Sequence, residues 1–157
     1  LDLSEVVTGC ADEWVHRALN RGLDLGFELA PARLTGDRFL IGELAVNLIA
    51  NAVEYTPEGG QITVRTGTEA EGVFIEVEDD GPGIPPEERS KVLQRFYRMS
   101  GASGQGSGLG LAIVNETAIA HGGYVDIADG HAANAARGLP GCRIRVSFPG
   151  KRHPVGA

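Results

Sequence analysis

The sequence predicts an α/β fold of the two-layer, α+β kind, with a mixed sheet covered by helices on one face. Two observations lead there. Segments with strand-like alternation bunch between helical segments instead of alternating with them one for one, which argues against a doubly wound parallel sheet. A chain of 157 residues, 42% of them hydrophobic, also has the length and apolar content of one domain built on a single core.

Taken in order, the periodicity predicts a helix from about Ser4 to Asn20, with Ser4 as its N-cap, and a strand over about Leu23 to Leu29. A second helix covers about Arg38 to Glu54, R-F-L-I-G-E-L-A-V-N-L-I-A-N-A-V-E. At about 100° per residue, Ile41, Leu44, Ala45, Leu48 and Ala52 form one apolar stripe, which Val46, Ile49 and Val53 widen, so most of this helix should be buried. Turn residues from Thr56 to Gly60 separate it from two alternating strands, about Gln61 to Thr66 and Val73 to Glu78. A short helix near Pro86 to Leu93, an apolar helix from about Leu109 to Ala120, and strands near Tyr124 to Ala128 and Cys142 to Phe148 complete the prediction. Residues 1–149 form the expected domain, and 150–157 an expected disordered tail.

Three segments carry chemistry. The first is E-D-D-G-P-G-I at residues 78–84, where Asp79 closes a strand and Gly81 and Gly83 follow. Without a Cβ these glycines permit positive φ and let a flat ligand approach the main chain, so a carboxylate beside them suits a planar donor such as an exocyclic amine. The second is the polar arc of the second helix, Glu43, Asn47, Asn51 and Glu54, whose spacings of four, four and three stack the side chains on one line. A solvated arc favours Lys, Glu, Gln and Arg, whereas Asn inside a helix competes for backbone hydrogen bonds, so two Asn one turn apart point to a function. A carboxamide oxygen suits Mg²⁺, and its NH₂ can donate to phosphate. In the third segment, glycines at 104, 106, 108 and 110 run into the helix that begins near Leu109. Gly-rich backbone opening a helix offers free N–H groups and the positive dipole end to an anion. No Lys-Ser or Lys-Thr follows these glycines, as a Walker loop requires, and no strand leads into them, as a dinucleotide fingerprint requires.

In order, N-L-I-A-N-A-V-E-Y-T-P, E-D-D-G-P-G-I-P, V-L-Q-R-F-Y-R and G-S-G-L-G-L-A-I-V resemble the N box, first glycine box, F box and second glycine box of bacterial sensor histidine kinase catalytic domains. The resemblance runs from about Leu3 to Pro149. It implies a Bergerat-type ATP-binding fold with three main helices on one face, and it extends to the wider superfamily of gyrase, the Hsp90 chaperones and MutL. By this resemblance Asp79 accepts from the adenine amino group, Asn51 binds magnesium, Asn47 sits on the phosphate side, and Tyr55 lies near adenine or ribose. Gly81 and Gly83 shape the base pocket; Gly106, Gly108, Leu109 and Gly110 wrap the phosphates; Arg98 reaches the γ-phosphate; and residues from Met99 to Gln105 form a lid. The implied cofactors are ATP and Mg²⁺. This sequence departs from the pattern in two places. Glu54 stands where the family usually places Lys, Arg or His, with Arg98, Arg95 or Lys91 available to compensate, and Leu93 replaces the first Phe of the F box.

The resemblance implies a module that passes the γ-phosphate of ATP to a histidine on its own dimerisation and phosphoacceptor domain, with a response regulator next in line. It also implies the cytoplasmic part of an inner-membrane sensor. None of His16, His121, His131 and His153 is followed by the acidic residue of the family's acceptor context, so the acceptor should come from another domain. Two alternatives stay open. One is a hydrolytic or ATP-gated module of the gyrase, Hsp90 and MutL type, with Glu43, one turn before Asn47, as the base that activates water. The other is a nucleotide-binding module without chemistry. The net charge of −7 and scattered Lys and Arg argue against a nucleic-acid partner. No apolar run approaches the roughly 20 residues that span a bilayer, so no direct membrane contact is expected of this segment. Cys10 and Cys142 lack paired metal spacing and are expected as buried, reduced thiols. A first residue of Leu rather than Met suggests a piece of a longer protein.

Overall fold

The computed structural model describes residues 1–97, 110–131 and 138–150. Their elements are α1 (Leu3–Asn20), β1 (Asp24–Leu29), α2 (Arg38–Tyr55), β2 (Gln61–Glu69), β3 (Gly72–Asp79), α3 (Gly110–Ala120), β4 (Tyr124–Ala128) and β5 (Cys142–Pro149), with 3₁₀ turns at Pro86–Glu88 and Lys91–Leu93. The five strands form one sheet in the order β1-β2-β3-β5-β4. β1 runs parallel to β2 through the α2 crossover, and the other pairs are antiparallel, so the sheet is mixed as predicted.

Strand alternation decides what each face is made of. Ile62 and Val64 on β2, Val73, Ile75 and Val77 on β3, and Ile144, Val146 and Phe148 on β5 are buried on the helix side. From α2, Ile41, Leu44, Ala45, Leu48 and Ile49 meet them with 0–1% exposure, which accounts for the low contrast between the faces of that helix. Burying each such Leu or Ile contributes about 1.5–3 kcal/mol. α1 leans on β1 and α2, while α3 packs along α2 and over β4.

The helix caps show where sequence reasoning slipped. Asp2, not Ser4, caps α1: its Oδ1 accepts from Ser4 N at 2.9 Å and Ser4 Oγ at 2.8 Å, and also from Ala32 N at 3.0 Å. A carboxylate two residues upstream can satisfy three donors at once, which one Ser hydroxyl cannot. Asp37 caps α2 by accepting from Leu40 N at 2.9 Å. The strands β2 and β3 extend beyond their predicted ends to meet at a tight turn, and Cys10 is half-buried rather than buried. At the far end, Gly150 N donates to Glu71 O at 2.6 Å; residues 151–157 of the expected tail lie outside the described residues.

Candidate functional site

On β3 the helix-facing series Val73, Ile75 and Val77 ends at Asp79, so strand alternation alone carries a carboxylate to the rim of the apolar layer. Three consecutive acids thereby go to three places. Glu78 faces the open side of the sheet, Asp79 faces the helices, and Asp80 accepts from Gln61 N at 2.9 Å to pin the turn after α2 against β2. Asp79 is partly exposed; its Oδ1 accepts from Gly81 N at 2.8 Å, and the N–H of Cys142, its cross-strand partner, also supports the carboxylate. Burial pushes the Asp79 carboxyl up to about 6, opposed by the Gly81 N–H, with the neighbouring Asp80 charge adding to the rise. At neutral pH it is therefore mostly ionised, an acceptor poised in a poorly solvated place.

The glycine turn behind Asp79 is held from the β4–β5 connection. Gly141 N donates to Gly81 O at 2.8 Å. Gly83 has φ +75° and Gly141 φ +71°, and a Cβ on Gly83 would come within 2.5 Å of Gly141 O. Gly81 is not among the positive-φ glycines, so of the two expected to need that freedom only Gly83 uses it. Gly83 is a packing requirement first.

α2 ends against this turn, where its C-cap Thr56 lies beside Gly81. Asn47 Nδ2 donates to Glu43 O at 2.7 Å, which fixes the amide and leaves Oδ1 toward the start of α3, where a Cβ on Gly110 would lie 3.4 Å from it. Asn51, Glu54 and Tyr55 are all half-buried, and Glu43 is exposed. Asn47 and Gly110 are thus brought together where α2 passes the N-terminus of α3, with Asn51 one turn further along α2. Arg98, Gly106, Gly108, Leu109 and the lid from Met99 to Gln105 lie outside the described residues.

Beside the site, Arg95 is bound by two hydrogen bonds, 2.8 and 2.9 Å, to Glu116 on α3, so this candidate for the missing cation is already engaged. Tyr97 Oη donates to Glu88 at 2.6 Å, while Phe96 is 70% exposed at φ 65°, a left-handed conformation that costs a non-glycine residue energy. Leu93 packs against the core, keeping the bulk that its position calls for.

Sequence reasoning missed Thr56, Asp80, Cys142 and Gly141. Thr56 caps α2 at 3% exposure, next to Gly81, and its Oγ1 finds no hydrogen-bond partner among the described residues. Cys142 is buried beside Asp79, where burial and that carboxylate push its thiol up to about 12, so it stays protonated. The T-P-E-G-G turn was a legible signal for Thr56, but the pairing of β3 with β5 that brings Cys142 to Asp79 has no local signal.

A family model described as histidine kinase-, DNA gyrase B- and HSP90-like ATPase matches residues 36–152. A solved structure described as the mycobacterial sensor histidine kinase MprB superposes with a TM-score of 0.84 at 32% identity, over 98% of this chain and 99% of that one. The chain belongs to the sensor histidine kinases of that ATPase family. It corresponds to their catalytic ATP-binding domain. The signal transduction histidine-protein kinase/phosphatase MprB of Mycolicibacterium vanbaalenii is 37% identical over 155 residues, and that of Mycobacterium tuberculosis H37Rv is 37% identical over 159. The chain spans about 31% and 30% of those two relatives' lengths. The ATP-binding domain of PrrB from Mycobacterium tuberculosis superposes with a TM-score of 0.73 at 25% identity, over 97% of this chain. The named relatives are kinases, which favours that reading over the hydrolytic alternative. Among the described residues no helix is long and apolar enough to cross a membrane.

Proposed function

We propose that this domain binds Mg-ATP between α2, the end of β3 and the start of α3. It would pass the γ-phosphate to a histidine on the dimerisation and phosphoacceptor domain of its own protein, for onward transfer to a response regulator. The observation that carries the reading is Asp79: a half-buried carboxylate at a strand end, braced by two backbone N–H groups, in a turn that lies against the end of the helix carrying Asn47 and Asn51. The carboxylate accepts from the adenine amino group, and guanine, which presents a carbonyl at that position, leaves it without a donor. Tyr55, at the end of α2, flanks the base or ribose. Gly106, Gly108, Leu109 and Gly110 bring backbone N–H groups to the phosphates, and Arg98 stabilises the charge that develops on the transferred phosphoryl group.

The donor set fits a divalent cation. Asn47 Oδ1 faces the α3 N-terminus, and the Asn51 amide makes no hydrogen bond with another described residue, so both offer hard, neutral oxygens. Asn51 would hold Mg²⁺, which supplies charge neutralisation across the phosphates. The setting is the cytoplasmic part of an inner-membrane sensor.

Calorimetric titration with ATP and GTP tests the base assignment. ATP should bind in preference to GTP, and Asp79→Asn should cost about ten- to a hundredfold in ATP affinity, the value of a charge-assisted hydrogen bond. Equal affinity for the two nucleotides would remove Asp79 from the base pocket.

A further inference from the structure

Glu54 ends the polar arc of α2 three residues beyond Asn51, so the two side chains are neighbours on one face of the helix. It is half-buried in the last turn. Its backbone oxygen accepts from Arg21 at 3.3 Å, but its carboxylate makes no hydrogen bond or ion pair with a described residue. The Asn51 amide beside it is likewise without a described partner, and Asn47, one turn earlier, keeps its Oδ1 free of its own Nδ2 bond to Glu43 O. Three oxygen donors thus lie along about two turns of one helix without a described cation or N–H donor on them.

A carboxylate beside Asn51 opposes a bare triphosphate bound there, even with Arg21 at the Glu54 backbone oxygen, because two anions at a half-buried site repel more strongly than in water. The conflict disappears if a cation lies between them. We infer that Glu54 is a second protein ligand for the divalent cation of the nucleotide, sharing it with Asn51. This inference rests on the nucleotide reading above. The ligand types agree with it: magnesium is commonly held by one or two protein oxygens together with substrate phosphates, and a carboxylate beside a carboxamide meets that demand. The functional consequence is discrimination. Glu54 rejects metal-free ATP and admits Mg-ATP, so the pocket selects the complex rather than the nucleotide.

The test compares wild type, Glu54→Gln and Glu54→Lys by calorimetric titration of ATP with Mg²⁺ and with chelator, and by Mn²⁺ electron paramagnetic resonance of the protein–ADP complex. Gln is isosteric and Glu54 has no described side-chain partner to lose, so the melting temperature should hold and report an intact fold. In Glu54→Gln, removal of the repulsion should tighten metal-free ATP while Mn²⁺ in the ternary complex binds more weakly, shrinking the affinity advantage of the metal complex about tenfold. Glu54→Lys should bind metal-free ATP more tightly still. If both variants tighten metal-free ATP and leave Mn²⁺ affinity unchanged, Glu54 only repels phosphate and the ligand assignment is wrong. An unchanged metal advantage in Glu54→Gln would also overturn it. Failure of the wild-type chain to bind ATP with or without metal would instead bring down the nucleotide reading itself.

Discussion

The two faces of the sheet solve the same problem by opposite means. Under the helices, Ile62, Val64, Ile75, Val77, Ile144 and Val146 are dried by α1, α2 and α3. On the open face no helix is available among the described residues, yet Glu76 and Glu78 are 1% and 2% exposed. There the cover is electrostatic. Strand register lines up Glu28, Arg65, Glu76, Arg145 and Asp126 across β1, β2, β3, β5 and β4, a row of alternating sign. Arg65 bonds Glu28 at 2.6 Å, Glu76 at 3.1 Å and Glu78 at 2.6 Å, while Arg145 bonds Glu76 at 3.0 Å and Glu69 at 2.9 Å and lies 3.9 Å above the Phe74 ring. The arginine stems take the place of helices, shielding the sheet while their guanidinium groups satisfy the acids. Glu76, Glu78 and His131 also bring potential ligand atoms within 4.8 Å of one another. Both carboxylates there are committed to arginines, and Glu78 also accepts from His131 N at 2.5 Å, which makes this a structural network.

The contrast is sharpest in how each face should fail. Ile75→Ala on the covered face should cost about 2–5 kcal/mol, by lost transfer energy and a cavity, with little dependence on pH. Arg65→Met should cost about 2–3 kcal/mol, kept below the full buried-pair range because Arg65 is 20% exposed and because Glu76 keeps Arg145 and Glu78 keeps the His131 N–H, since each buried carboxylate loses one of its charged partners. Urea unfolding measures both. No coupling between Arg65→Met and Glu78→Gln in a double-mutant cycle would mean that the arginine acts by packing alone.

Asp79 sits where the faces meet and should behave as neither. Its folded-state pKa is raised to about 6 from an ordinary 3.8, so the ionised form is the disfavoured one in the folded chain. Wild-type stability should therefore be highest below pH 4 as far as this group is concerned, and should fall as the pH rises through about 6. Asp79→Asn should remove that slope and gain about 1–3 kcal/mol at pH 7.5 in the absence of nucleotide, while weakening ATP binding. Equal pH dependence in mutant and wild type would show that Asp79 is not the destabilised group.

The covered face was legible because apolar alternation in V-F-I-E-V-E-D and the stripe of α2 are local signals that hold whatever the topology. Asp79 could be read in the same way, as the last helix-facing position of that alternation. The open face was not legible: Glu76 and Glu78 read as solvated residues, because the arginines that bury them come from β2, 11 and 13 residues away, and from β5, 69 residues away. Their meeting depends on β5 inserting between β3 and β4, which no local pattern encodes. The polar arc of α2 was read correctly as an arc, but the lock between Asn47 Nδ2 and Glu43 O appears only with the helix built. Ser4 was mistaken for the cap because Asp2 stands so near the first residue that nothing upstream frames it.

The most direct test of the central claim is a phosphotransfer assay with γ-labelled ATP, in which this chain is incubated alone and then with the dimerisation domain of its own protein. The kinase account predicts acid-labile, histidine-type label on the dimerisation domain and none on this chain, with Glu43→Ala changing little. Steady ATP hydrolysis by the isolated chain that vanishes in Glu43→Ala, with no label passed to the dimerisation domain, would contradict it.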